Sequence, residues 1–216
     1  MVTSQPNLRN KKILCMHITV FNTPIVTTVL ATITRLIVKV CGWTLEGHKP
    51  CCRCIMIGSR HNKIWDYFIF MAVALNMRSP VRWLGKSSLF WGPFGYILRY
   101  FGGIPVQRQQ SDKLVSKAVS AFSCHDRFVL AMRPENPLSN TAPWKTEFWQ
   151  IANAAKVPIV PGYIDYKRKV AGVSPAFRTT GNLEQDILSL QTFYASCRRH
   201  SSPTTTATTS IKIQSS

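Results

Sequence analysis

Short apolar runs bounded by turn residues recur along this chain at 54–58, 128–132 and 157–164, and helical periodicity fills the stretches between them. Runs of this length read as buried strands, and strands that alternate with helices commit a chain to an α/β sheet. Shorter strands are expected at 81–84 and 104–107. The latter belongs at a sheet edge, because Pro105 has no N–H to give to a ladder. Helices are expected at 64–76, 88–101, 111–122, 144–155 and 183–195. The second carries the aromatic residues Phe90, Trp91, Phe94, Tyr96, Tyr100 and Phe101. In the third, Ser111 and Asp112 cap the helix, and Leu114, Val115, Ala118, Val119 and Phe122 face inward. A chain of 216 residues has room for one such domain and a short appendage. The expectation is a single α/β domain over 43–199, with a mixed central sheet flanked by helices. An N-terminal amphipathic helical segment over 1–42 precedes it, and a disordered Ser/Thr-rich tail over 200–216 follows.

Residues 13–34 hold no formal charge, but Pro24, Asn22, His17 and six threonines make them a poor membrane span. Thr23 and Pro24 read instead as the N-cap and first position of a helix. From there Ile25, Val26, Val29, Leu30, Ile33, Leu36, Ile37 and Val40 recur at three- and four-residue steps, while the threonines, Arg35 and Lys39 take the other face. Such a face either packs on its own domain or lies in a bilayer interface. Charge tilts the choice toward the bilayer, since Glu46 is the only acid among the first 65 residues, against nine Lys or Arg.

Over the whole chain 27 Lys and Arg face 9 acids, a net charge of +18. That excess requires an anionic partner: nucleic acid, an anionic membrane surface or a phosphorylated substrate. The basic residues are spread along the chain and no nucleic-acid motif is present, so nucleic acid is the least favoured. Seven scattered cysteines read as reduced and intracellular. Cys51, Cys52 and Cys54 lack the paired spacing of a zinc site and read as small residues entering a strand.

The segment with chemistry in it is His61-Asn62-Lys63-Ile64-Trp65-Asp66. Five residues along one ideal helix point about 140° apart, so His61 and Asp66 meet only if the histidine lies in the preceding loop and the aspartate on the first turn. The expected strand, loop and helix supply that arrangement. An Asp accepting from one imidazole nitrogen leaves the other as a base, able to take a proton from a hydroxyl attacking an acyl carbonyl.

Further segments follow in order: Phe101-Gly102-Gly103-Ile104-Pro105-Val106-Gln107-Arg108, Arg133-Pro134-Glu135, Trp144-Lys145-Thr146-Glu147-Phe148-Trp149 and Val157-Pro158-Ile159-Val160-Pro161. With the His-x4-Asp motif, this series resembles the phospholipid/glycerol acyltransferase family, the 1-acyl-glycerol-3-phosphate acyltransferases in particular, over roughly 42–169. The resemblance implies transfer of a fatty acyl group from a coenzyme A or acyl-carrier-protein thioester to a hydroxyl of a glycerol phosphate. His61 would be the general base and Asp66 its orienter. Gly102, Gly103 and Arg108 match the segment the family uses for its phosphorylated acceptor, and Glu135 matches the acid of the third motif, with Lys145 a further candidate for the phosphate. No acyl-enzyme, cofactor or metal is implied. The acyl thioester is a co-substrate, and the partners are an anionic phospholipid surface on the cytoplasmic face and an acyl carrier. The third motif departs from the usual Glu-Gly-Thr-Arg and reads Glu135-Asn136-Pro137-Leu138, with a leucine where an arginine grips phosphate. A catalytically weakened or inactive lipid-binding relative on the same scaffold is the alternative.

Overall fold

The computed structural model describes residues 19–47, 50–58, 64–106, 111–134 and 144–201. The elements run α1 (Pro24–Val40), β1 (Thr44–Gly47), β2 (Arg53–Gly58), α2 (Ile64–Asn76), β3 (Val81–Lys86), α3 (Phe94–Tyr100), β4 (Gly103–Val106), α4 (Ser111–Cys124), β5 (Phe128–Met132), α5 (Glu147–Ala155), β6 (Ile159–Asp165), β7 (Val170–Val173) and α6 (Leu183–Ser201). The seven strands form one mixed sheet in the order β1-β7-β6-β2-β5-β3-β4. From β6 to β4 all neighbours are parallel. β7 turns back antiparallel on β6, and β1 runs parallel to β7.

The central strands are apolar throughout because both faces of the sheet are covered. In β2, Ile55 and Ile57 point to one face, where Phe122 of α4, Phe148 and Ile151 of α5 and Leu190 of α6 meet them. Cys54 and Met56 point to the other, against Ile69 and Val73 of α2. α2 is itself apolar on its outer side, and Met71 and Leu75 there are covered by Leu30 and Ala31 of α1 together with Val20. A helix apolar on nearly every side needs cover on nearly every side; α1 supplies part of it, and Phe68 stays 57% exposed.

α6 is tied to the sheet by buried polar groups whose bonding is satisfied. Tyr194 Oη donates to the carbonyl oxygens of Ile57 at 2.9 Å and Gly162 at 3.2 Å. The buried Asp186 carboxylate accepts from Trp149 Nε1 at 2.8 Å, Thr180 Oγ1 at 2.9 Å and the Thr180 N–H.

Four expectations change in detail. The aromatic stretch 88–101 is a 3-10 turn, Ser87–Phe90, followed by the separate α3, because Gly92 takes a positive φ of 73° and Pro93 stands at the N-cap. The helix expected from 144 starts at Glu147, since the Lys145 N–H is held by the Pro134 carbonyl at 2.6 Å. The last helix continues to Ser201, into the stretch read as tail, of which 202–216 lie outside the described residues along with 1–18. β1 and β7 were not expected at all.

α1 starts at Pro24, as the cap signal required, but its polarity is the reverse of a core-facing helix. Thr23, Thr27, Leu30, Ala31, Thr34 and Val38 turn toward the protein. Thr23 Oγ1 bonds the Val20 carbonyl at 3.1 Å and Tyr100 Oη at 2.9 Å, and Thr27 Oγ1 donates to Val20 O. Of the apolar residues counted in the sequence, all except Leu30 are exposed, from Val26 at 38% to Ile25 and Val40 at 79%. At about 100° per residue they share an arc of about 120°. Among the described residues no helix is long and apolar enough to cross a membrane.

Candidate active site

β2 and β5 are neighbours whose onward connections leave to opposite faces of the sheet. β2 leads into α2 on one side and β5 into α5 on the other. The crevice between the carboxyl ends of two such strands is where open α/β sheets place their ligands. Asp66 lies just past the carboxyl end of β2, buried on the first turn of α2, where the helix dipole favours a carboxylate. His61 lies outside the described residues, in the segment that joins Gly58 to Ile64.

Asp66 has a described partner that the sequence did not announce. Tyr166, the first residue after β6, donates its hydroxyl to Asp66 Oδ1. Its ring stands edge-on to Trp43, with centroids 5.3 Å apart and an interplanar angle of 86°. The turn holding Tyr166 is fixed by Asp165 Oδ1, which accepts the N–H groups of Lys167 at 3.0 Å and Arg168 at 3.1 Å. Lys167, Arg168 and Lys169 therefore rise at the same end of the sheet as Asp66. No local pattern marks Tyr166, because its partner is a hundred residues away.

Beside Asp66, the Tyr67 hydroxyl is buried with no hydrogen-bond partner among the described residues, and burial pushes its phenol up to about 12. Its ring packs edge-on against Trp83 at 5.3 Å.

The other expected residues divide by position. Lys145 sits at the carboxyl end of β5, exposed, and its backbone bond to Pro134 ties together the two ends of the segment that contains Glu135 and Leu138. Glu135 and Arg108 themselves lie outside the described residues. Val106, which leads to Arg108, is at the carboxyl end of β4, next to that of β3. Gly102 and Gly103 are at the opposite end of β4, where Gly103 pairs with Trp83. Packing accounts for both. Gly102 has φ +85° and a Cβ there would meet the Val81 carbonyl oxygen at 2.3 Å, while a Cβ on Gly103 would meet the Phe90 ring at 2.7 Å. Asp66 and Tyr166 thus meet at the carboxyl end of the central strands, Lys145 follows the carboxyl end of β5, and Gly102 and Gly103 lie at the amino end of β4.

Among the described residues no group of three His, Cys, Asp or Glu side chains could hold a metal ion. The cysteines at 41, 51, 52, 54, 124 and 197 are free thiols, and burial pushes that of Cys54 up to about 12.

Comparison with solved structures finds the 1-acyl-sn-glycerophosphate (LPA) acyltransferase PlsC from Thermotoga maritima at a TM-score of 0.59, with 12% sequence identity over 83% of this chain and 81% of that one. That likeness is one of fold. Comparison of the sequence with curated proteins finds no match. A family model described as Acyltransferase matches residues 49–165, which takes in β2, the His-x4-Asp segment and every strand from there to β6. The chain belongs to the acyltransferase family.

Proposed function

We propose that this chain moves a fatty acyl group from an acyl thioester, carried on coenzyme A or acyl carrier protein, to a hydroxyl of a lysoglycerophospholipid such as 1-acyl-glycerol-3-phosphate. The observation that carries the reading is the buried Asp66 carboxylate on the first turn of α2, just past the carboxyl end of β2 and within the family match. His61 accepts the proton of the attacking hydroxyl and Asp66 holds the imidazole in the tautomer that can do so. The hydroxyl oxygen adds to the thioester carbonyl, the C–S bond breaks, and the thiol leaves with the proton that His61 returns. Arg108, Glu135 and Lys145 serve the acceptor side, and the exposed apolar stripe of α1 lies in the bilayer interface.

The test is acyl transfer from a long-chain acyl thioester to lysophosphatidic acid in liposomes, with wild type beside His61→Ala and Asp66→Asn. The expected outcome is turnover in the wild type and a loss of at least about a hundredfold in each variant. One observation favours a second reading: Leu138 stands where the third motif has its arginine. A folded, vesicle-bound wild type that turns over no glycerophosphate acceptor would make the chain a lipid-binding relative without catalysis.

A further inference from the structure

The aromatic excursion between β3 and β4 takes no part in the reaction above. β3 delivers the chain at Lys86 to the carboxyl end of the sheet, Ser87–Phe90 make one 3-10 turn, and α3 carries the chain back to β4. Phe90 is the anchor. It is buried against Trp83, with ring centroids 5.8 Å apart, and it occupies the space left by Gly85 and Gly103. Gly95 lets α3 close on this turn, since a Cβ there would lie 2.1 Å from the Phe90 carbonyl oxygen. Packing therefore holds the segment in place, and the exposure of its neighbours belongs to a fixed conformation. Trp91 is 89% exposed, Phe94 72% and Tyr96 75%, with Leu89 and Ile97 each more than half exposed. A contiguous apolar cluster of this kind marks a contact surface.

Three features say what covers it. First, the cluster is continuous with α1. Tyr100 Oη meets Thr23 Oγ1 at 2.9 Å, and Tyr100 and Phe101 pack with Val20, Leu30 and Ala31, so α3 is joined to α1 close to Ile25, where the exposed stripe begins. Second, no Asp or Glu occurs between Asp66 and Asp112, whereas Arg78, Arg82, Lys86, Arg99 and Arg108 fall in that interval. An anionic bilayer complements such a surface. Third, Trp and Tyr combine an apolar body with a polar tip and settle at headgroup level.

We propose that the segment 87–97 is a second bilayer-docking element, in which Trp91, Phe94 and Tyr96 enter the boundary between headgroups and acyl chains of an anionic membrane. Lys86 and Arg99 lie at the level of the phosphates. The proposal rests on the bilayer reading of α1 and adds a separate point of attachment. One helix on a surface leaves the domain free to roll about the helix axis, and a second contact off that axis fixes its tilt. Because the excursion leaves from the carboxyl end of β3, the fixed tilt holds the crevice toward the surface that carries the lipid acceptor.

The test uses the full chain and flotation with phosphatidylcholine vesicles, with and without phosphatidylglycerol. Trp91→Ala/Phe94→Ala/Tyr96→Ala alters only exposed side chains, and circular dichroism checks that the fold is kept. It is expected to lower partitioning onto anionic vesicles by at least about tenfold. Ile33→Asp/Leu36→Asp in α1 lowers it independently. As a second readout, acyl chains carrying bromine quench tryptophan fluorescence more in the wild type than in Trp91→Phe, which keeps an aromatic ring. A triple variant that floats as well as the wild type, beside an α1 variant that does not, overturns the second element and leaves the α1 reading standing. A wild type that does not float overturns both. Substitutions that turn a dimer into a monomer in sedimentation without changing flotation assign the patch to a second copy of the chain, and overturn the proposal.

Discussion

At Asp66 a buried carboxylate takes a hydrogen bond from a tyrosine hydroxyl, and that bond bears on the role proposed for it. On the proposed function, Tyr166→Phe removes the described donor to Asp66 and should lower kcat several-fold with KM for the acceptor unchanged. A role confined to packing would lower the melting temperature and leave kcat of the folded protein where it is. Tyr67 gives a stability prediction instead. Its buried hydroxyl has no partner among the described residues, so Tyr67→Phe should stabilise the fold by about 1 kcal/mol in urea melts. Burial raises its phenol from the ordinary 10.0 to about 12. Below pH 10 this contribution to stability is fully present, and it is lost as pH rises toward 12, because the unfolded chain gives up the proton first. Melts at alkaline pH should show a smaller loss in Tyr67→Phe than in wild type. The place of Asp66 on the first turn of an apolar helix was legible in the sequence. Tyr166 was not, since nothing within its own segment separates it from any other tyrosine after a strand.

Elements were legible where both faces are covered. β5 is apolar throughout, β2 after Arg53, and α2 apart from Asp66 and Asn76, so 54–58, 128–132 and 64–76 stand out against their polar borders. β1 and β7 are four residues each and include Gly47 and Gly172, whose missing side chains admit a neighbouring backbone rather than a core. They exist through their pairing with each other and with β6, which no window along the sequence contains. α1 misleads for a different reason. Thr27 and Thr34 return their hydroxyls to the carbonyls of Thr23, at 2.9 Å, and Leu30, at 2.8 Å, so residues that read as polar can pack against α2. The glycines separate by experiment. Gly102→Ala places a Cβ against the Val81 carbonyl at a positive φ and should cost at least about 2 kcal/mol in denaturant titration. Gly58→Ala, where nothing among the described residues lies within 4 Å of the new atom, should cost less than about 1 kcal/mol.

For the whole molecule the division of surfaces is the informative feature. The core is one sheet closed on both faces, yet Ile25, Ile33, Leu36, Trp91 and Phe94 stand outside it, on a chain of net charge +18. In the proposed function that apolar surface is the part that would leave water for the bilayer interface. The sheet's two open sides have a bearing on how such a chain fails. β1 is only four residues long and carries Glu46, and β4, at the far side, carries Pro105. Short, charged or proline-bearing border strands are poor templates for joining another sheet. When the chain is made without detergent, its aggregates should therefore form through α1 and the aromatic turn rather than strand to strand. They should be amorphous, fail to bind thioflavin T and redissolve in mild detergent. Recovery from the insoluble fraction then needs an amphiphile and no denaturant, because what precipitates is the folded molecule.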